Sequence, residues 1–172
     1  MKARARALGH PIHPMLIAFP LGLFPVAVIF DVLYWYGNNA ARWAEISFWL
    51  IAAGIIGGLL AAVFGFIDWL KIPGGTRAKA IGLLHGILNV VVVGLFGVSW
   101  LLRRSDPGSP GGLEIVLGIV AIVFALFSGW LGGELVFRLS IGVDEGAHPD
   151  SPSSLSNRPA TEGEHGGRVT QN

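Results

Sequence analysis

Four long apolar stretches constrain this chain more than any other feature. A helix needs about 20 apolar residues to cross the roughly 30 Å of hydrocarbon in a bilayer, and each stretch reaches that length. Only 13% of the residues are charged, against about 25% in a typical soluble domain. The sequence therefore predicts an all-α, four-helix transmembrane bundle, with spans at about 15–36, 46–70, 78–102 and 113–137.

Turn-forming residues separate the spans, and a change in composition ends the membrane domain. The predicted turns are Gly37-Asn38-Asn39, Pro73-Gly74-Gly75 and Asp106-Pro107-Gly108-Ser109-Pro110. Residues 1–140 form the predicted four-span domain. After it, Gly, Ser, Pro and acidic residues dominate without apolar periodicity, which predicts a disordered cytoplasmic tail over 141–172.

Basic residues are divided unequally between the two ends of the predicted bundle. The end that is richer in Lys and Arg is expected to be cytoplasmic. An even number of spans then predicts that both termini are inside, an N-in/C-in topology. Seven basic residues lie at the richer end and three at the other: Lys2, Arg4, Arg6, Lys71, Arg77, Lys79 and Arg138, against Arg42, Arg103 and Arg104.

Composition also excludes several classes of site. The chain has no cysteine, which excludes disulfides, thiol catalysis, zinc fingers and cysteine-ligated iron–sulfur clusters within it. A net charge of +1, with the basic residues near span ends, gives no indication of nucleic-acid binding. Phosphate loops and the Gly-x-Ser-x-Gly elbow of hydrolases are absent from the sequence, and enzymatic activity is not favoured.

Polar side chains inside or beside the spans mark the candidate site. A charged group in hydrocarbon costs roughly 2.5–3.5 kcal/mol, so such residues are informative. All four spans contribute, and the predicted orientation places these groups toward the cytoplasmic end. They are His10, His13, Asp68, His85, Asn89, Glu134 and Arg138.

The histidines suggest a cofactor site. His85 and Asn89 are four residues apart and share a helix face with Gly82 and Gly86, so the imidazole is expected to meet a closely packed neighbour. Two imidazoles from facing helices are the requirement for six-coordinate haem b, which helix bundles often bind. His85 with His13 or His10, beside Asn89, is the predicted cofactor-binding set.

Other interpretations of the same residues stay open. His13, Asp68, His85 and Glu134 provide the nitrogen and oxygen ligands of a non-haem metal, or they form a proton relay. In a third interpretation, His85 is a buried histidine that holds helices together, and Asp68 and Glu134 form ion pairs with basic residues at the membrane interface. Asp31, near the opposite end of the bundle, is expected only to be hydrated.

Several blocks of sequence in order carry a family resemblance. The chain resembles the domain of unknown function 2231 family over about residues 9–144. The family consists of multi-spanning bacterial membrane proteins, and some relatives are joined to a Rieske iron–sulfur domain. The matching blocks are Gly9–Met15, Phe19–Gly22, Ile67–Trp69, Gly82–His85 with Leu88-Asn89, Ser128–Val136 and Gly142–Asp144.

The resemblance implies a multi-pass protein of the bacterial cytoplasmic (inner) membrane, near electron transfer. Because the chain has no cysteine, a redox role would use haem or a membrane redox partner. We therefore predict a small electron-transfer component that binds haem b or a quinone near the cytoplasmic face. A transport or proton-pathway protein, or a structural partner-binding subunit, is the alternative, and a homo-oligomer is left open.

Overall fold

The computed structural model describes residues 1–37 and 40–163. Within them, four helical stretches are long and apolar enough to cross a membrane, namely Ile12–Tyr36, Ala40–Lys71, Arg77–Leu102 and Gly112–Arg138. The predicted all-α bundle of four spans is thereby confirmed. Asn38 and Asn39 of the first predicted turn, and residues 164–172 of the predicted tail, lie outside the described residues.

Two short strands precede the helices, and a break divides the first span. Pro20 has no N–H to bond the carbonyl of Leu16, which accounts for a break close to Ile17. The second span begins at Ala40, earlier than the predicted Ile46. The elements are β1 Arg6–Ala7, β2 His10–Pro11, α1 Ile12–Leu16, α2 Ala18–Tyr36, α3 Ala40–Lys71, α4 Arg77–Leu102, α5 Gly112–Gly133 and a closing π-helical turn Glu134–Arg138.

Neighbouring helices pair along the chain and meet in an apolar core. α2 packs chiefly on α3, and α4 packs chiefly on α5. At the centre the rings of Phe24 and Phe96 stack with centroids 4.0 Å apart. Gly54 admits the Phe24 ring, because a Cβ there would lie 2.5 Å from it. The buried core residues come from all four spans: Phe24, Ala27, Ile51, Val92, Phe96 and Ala121.

The outer surface of the bundle is apolar. Val90 and Leu126 are 69% and 71% exposed, and they are two of many such side chains. An apolar surface this extensive would be an aggregation liability in water, whereas it is the expected covering of a helix bundle in lipid. The outward surface therefore agrees with the membrane spans predicted from composition.

A buried ion pair closes the end of the bundle that lies opposite the two terminal segments. The Arg103 guanidinium donates to both carboxylate oxygens of Asp31, at 2.9 and 3.2 Å. It also donates to Ser47 Oγ at 3.3 Å and to Ser99 Oγ at 3.0 Å. Ser99 Oγ in turn donates to the backbone oxygen of Glu114 on α5. This group of five residues, the ion-pair layer, therefore connects all four spans.

The expectation that Asp31 is merely hydrated was wrong. Asp31 is 1% exposed and the Arg103 side chain is fully buried. A carboxylate and a guanidinium this far from water are stable only as a hydrogen-bonded pair. The sequence analysis used Arg103 only as one of the basic residues counted at the two ends of the bundle. Its position beside Asp31 depends on how α2 and α4 pack against each other.

Breaking the ion-pair layer should destabilise the bundle. We expect Asp31→Asn to lower the free energy of unfolding by about 3–5 kcal/mol, because the Arg103 charge is then buried without compensation. The double variant Asp31→Leu with Arg103→Met should recover most of the loss. Thermal unfolding in detergent measures both.

The matched control for this experiment is Glu162→Gln, which breaks the exposed Arg158–Glu162 pair. Exposed pairs contribute about 0–1 kcal/mol, so this variant should unfold like the wild type. An Asp31→Asn protein that is as stable as the control would contradict a structural role for the buried pair.

Candidate functional site

The N-terminal segment lies on one face of α3. β1 and β2 form a hairpin, and its turn uses Leu8 and Gly9 at φ values of 49° and 81°. Asp68 Oδ1 accepts the backbone N–H groups of Arg4 at 2.6 Å and Ala5 at 2.9 Å. These bonds fix the approach of the chain to α1, and they give Asp68 a positioning role.

His13 sits directly against the backbone of α3. Its Nδ1 is 2.8 Å from the carbonyl oxygen of Ala61. A Cβ at Gly65 would lie 2.8 Å from the same nitrogen, so only glycine leaves room for the ring. Ala61, Gly65 and Asp68 share one face of α3 by their spacing, and together they hold the segment that carries His13.

The His85 ring is held in a similar way, between α4 and α5. Its Nδ1 is 2.9 Å from the Ser128 carbonyl oxygen and 3.1 Å from Ser128 Oγ. Its Nε2 is 3.0 Å from the amide nitrogen of Asn89, which also donates to the His85 carbonyl. A Cβ at Gly132 would lie 3.3 Å from the ring. Hydrogen bonds therefore hold this imidazole on two sides.

The two histidine rings lie close to each other inside the bundle, in an edge contact. Their centroids are 6.4 Å apart and their planes are nearly perpendicular, at 87°. A carbonyl oxygen can only accept, so each Nδ1 that bonds one carries the proton. The lone pair of each neutral ring is then on Nε2. This is the tautomer of a metal-ligating histidine whose other nitrogen donates to a carbonyl.

The remaining predicted site residues lie elsewhere. Asp68 bonds the N-terminal backbone, and Glu134 forms an ion pair with Arg77 at 3.1 Å. His10 is exposed and lies 3.2 Å from Ser154 Oγ. Within residues 1–37 and 40–163, no group of three or more His, Asp or Glu side chains is arranged to hold a metal. The structure thus brings together two imidazoles rather than four ligands.

Sequence reasoning missed the groups that seat the two rings. The sequence analysis included Ser128 only in a block that resembles the family. A hydroxyl group inside an apolar span could have indicated a hydrogen-bond partner for a buried polar side chain. His85 was expected to meet a closely packed neighbour on the face that carries Gly82 and Gly86. Its ring does pack against Gly132 of α5. A Cβ built at Gly86, however, would have no atom within 4 Å apart from its own helix backbone. The glycines that seat the histidines are Gly65 and Gly132 on the neighbouring helices.

Comparison with known families supports the membrane assignment. The family model described as a predicted membrane protein, DUF2231, matches residues 9–145. The chain belongs to the DUF2231 family. The matched region of this DUF2231 protein includes Gly9 of the hairpin turn, all four spans, both histidines and Asp144. No curated protein and no solved structure matches the sequence.

The packing of His13 against Gly65 leads to a direct prediction. Gly65→Ala should displace the imidazole from the Ala61 carbonyl and destabilise the protein by about 1–3 kcal/mol, because the added methyl group overlaps the ring. Gly97→Ala on α4 is the matched control, since nothing in the described structure lies within 4 Å of its Cβ.

The measurement is thermal unfolding in detergent together with 15N chemical shifts of the histidine ring, which report the tautomer. The control should keep both the melting temperature and the shifts of the wild type. If Gly65→Ala left the His13 shifts unchanged, the seat would not be what orients the ring.

Proposed function

We propose that this DUF2231 protein is a small electron-transfer component of the membrane, which binds haem b between His13 and His85. One observation carries the proposal. Two imidazoles from different spans lie close to each other in an edge contact, and each holds its Nδ1 against a backbone carbonyl. Helix bundles that bind haem use this donor set.

The separation of the rings supports ligation of one ion by both. A metal–imidazole bond is about 2.0–2.1 Å and the nitrogen lies about 1.1 Å from the ring centre, so two rings on opposite sides of one ion have centroids about 6.3 Å apart. The centroids of His13 and His85 are 6.4 Å apart. At this spacing His13 and His85 would hold one ion between them once both Nε2 atoms turned toward it.

The surrounding residues orient the two rings. The Ala61 and Ser128 carbonyls hold the Nδ1 protons and make each Nε2 a better donor to a metal. Ligation by His85 requires the Asn89 amide to leave Nε2, and the bond from Asn89 to the His85 carbonyl keeps the amide nearby. When bound, haem b supplies one-electron chemistry.

The alternatives have less support. A non-haem metal site would lack two of its predicted ligands, because Asp68 bonds the N-terminal backbone and Glu134 pairs with Arg77. A proton pathway would have to cross the apolar core, since His85 and Ser99 lie about 21 Å apart along α4 at 1.5 Å per residue with Phe24 and Phe96 stacked between the layers. A quinol is the second candidate ligand, because the His13 Nε2 lone pair can accept a quinol hydroxyl proton.

Purified protein should show a Soret band after expression with haem supply or after titration with haemin. His13→Ala and His85→Ala should each abolish six-coordinate haem binding, because each removes one axial ligand. Nearly perpendicular imidazole planes should give the oxidised form a strongly anisotropic low-spin EPR signal.

His10→Ala is the matched control, since it removes an exposed histidine from the same segment and should keep the spectrum. His85→Phe should remain folded and colourless, which separates ligation from stability. A wild-type protein that takes up no haem would overturn the proposal. Bound quinone in its extract, lost in His13→Ala, would then identify the second candidate.

We also propose that both termini face the cytoplasm of a bacterium and that the protein lies in its inner membrane. The seven-to-three division of basic residues supports this orientation. Reporter fusions after Gly75 and Asn172 should be cytoplasmic, and a fusion after Ser105 should be external. An external C-terminus would reverse the orientation, and with it the side of the membrane that the histidines lie near.

A further inference from the structure

The two terminal segments meet and border an open, solvent-accessible cavity outside the bundle. Arg6 pairs with Asp144 at 2.6 Å, and the Gly142 N–H donates to the Met1 carbonyl. Ser154 packs against Gly9 on the other side of the hairpin turn. The volume of this open cavity is about 460 Å³, within the range of roughly 300–1,000 Å³ that is usual for small-ligand sites.

Positive charge dominates the lining of this cavity. Lys2, Arg6 and Arg158 contribute three cations, and Asp144 contributes one carboxylate. Arg6 is bound to Asp144, and Arg158 bonds Glu162 at the surface. Lys2 is exposed and makes no hydrogen bond or ion pair with the described residues. The lining therefore keeps a positive charge after its internal pairs are counted.

The polar groups between these cations favour a phosphate ligand. The polar side chains that line the same cavity are Ser153, Ser154, Ser156 and Asn157. Ser154 and Ser156 donate their hydroxyls to the Leu8 and Ser153 carbonyls. The Ser153 hydroxyl and the Asn157 amide donate to none of the described residues, and such donors beside Lys and Arg bind phosphate oxygens. The cavity also lies outside the membrane spans, at one end of the bundle. Basic clusters beside membrane spans attract anionic phospholipids.

We infer that the cavity between the hairpin and residues 142–160 binds a phosphate-bearing group. The group is either the phosphodiester of an anionic phospholipid or free inorganic phosphate. Arg6 and Asp144 form one side of the cavity, and the hydrogen bond between them lowers the pKa of the Asp144 carboxyl group. Asp144 is therefore ionised at neutral pH and stays ionised to a lower pH than an ordinary carboxyl group, so the pair is lost only as the pH falls through the lowered value.

The test uses the full chain with two probes. Native mass spectrometry counts phosphatidylglycerol bound to protein from nanodiscs, with phosphatidylcholine nanodiscs as the neutral comparison. Calorimetry in detergent measures binding of inorganic phosphate. Removing two of the three cations of the lining in Lys2→Ala with Arg158→Ala should weaken binding about tenfold or more.

Lys71→Ala with Arg138→Ala is the matched control, because it removes two exposed cations from the same end of the bundle but outside the cavity. It should bind like the wild type. Lys2→Glu reverses one charge without breaking any bond described above, and it should also lose binding. This variant keeps the test valid if the double variant disturbs the fold of the segment.

The outcomes are distinct. Retention of phosphatidylglycerol without binding of inorganic phosphate identifies a lipid headgroup, and binding of inorganic phosphate identifies a soluble ligand. Both support the inference if the Lys2 variants lose the ligand. Binding of neither probe overturns it, as does equal loss in the cavity and control variants.

Discussion

The hydrocarbon of a bilayer contains no water to which polar groups could hydrogen-bond, so each of them needs a partner inside the protein. This constraint organises the whole DUF2231 bundle. Apolar burial provides no preference for one helix neighbour over lipid, yet two polar layers require specific neighbours. The ion-pair layer around Asp31 and Arg103 closes one end, and the histidine pair occupies the half nearer the termini. Each layer contacts all four spans, and the apolar core separates them.

Glycines on α3 decide which side chains can enter the bundle. Gly54 admits the ring of Phe24 and Gly65 admits the ring of His13, because a Cβ at either position would overlap the ring. Small residues in membrane helices usually bring two backbones together. In this protein they bring an aromatic or imidazole ring against a backbone, which leaves the His13 ring within hydrogen-bonding distance of a carbonyl. The same helix thus shapes both the core and the candidate site.

The candidate site also depends on a segment outside the membrane helices. Asp68 binds two backbone N–H groups of the N-terminal segment, and the hairpin then leads directly into α1. The terminal segments contact each other through Arg6 and Asp144, so the chain after the fourth span helps to position the chain before the first. The predicted tail is stabilised at its beginning by these contacts, while its disorder as a whole stays a prediction.

The sequence by itself determined the class of fold and the approximate spans. Long apolar stretches separated by Gly, Pro and Asp have few other solutions at this length. Polar residues are costly enough in lipid that His85 stood out as a candidate ligand, with either His13 or His10 as its partner. Family membership was also readable, because matching blocks occur in order along the chain. Those inferences needed only composition, order and spacing.

Only the tertiary structure decided which polar groups meet. The spans are apolar on every side, so they lack the amphipathic pattern that identifies the inward face of a soluble helix. The pairing of Asp31 with Arg103, the use of Asp68 on backbone N–H groups and the seat of His85 on Ser128 depend on helix rotation and on contacts between residues far apart in sequence. Rotation is set by side-chain packing between helices, and a single sequence does not encode it as a local pattern.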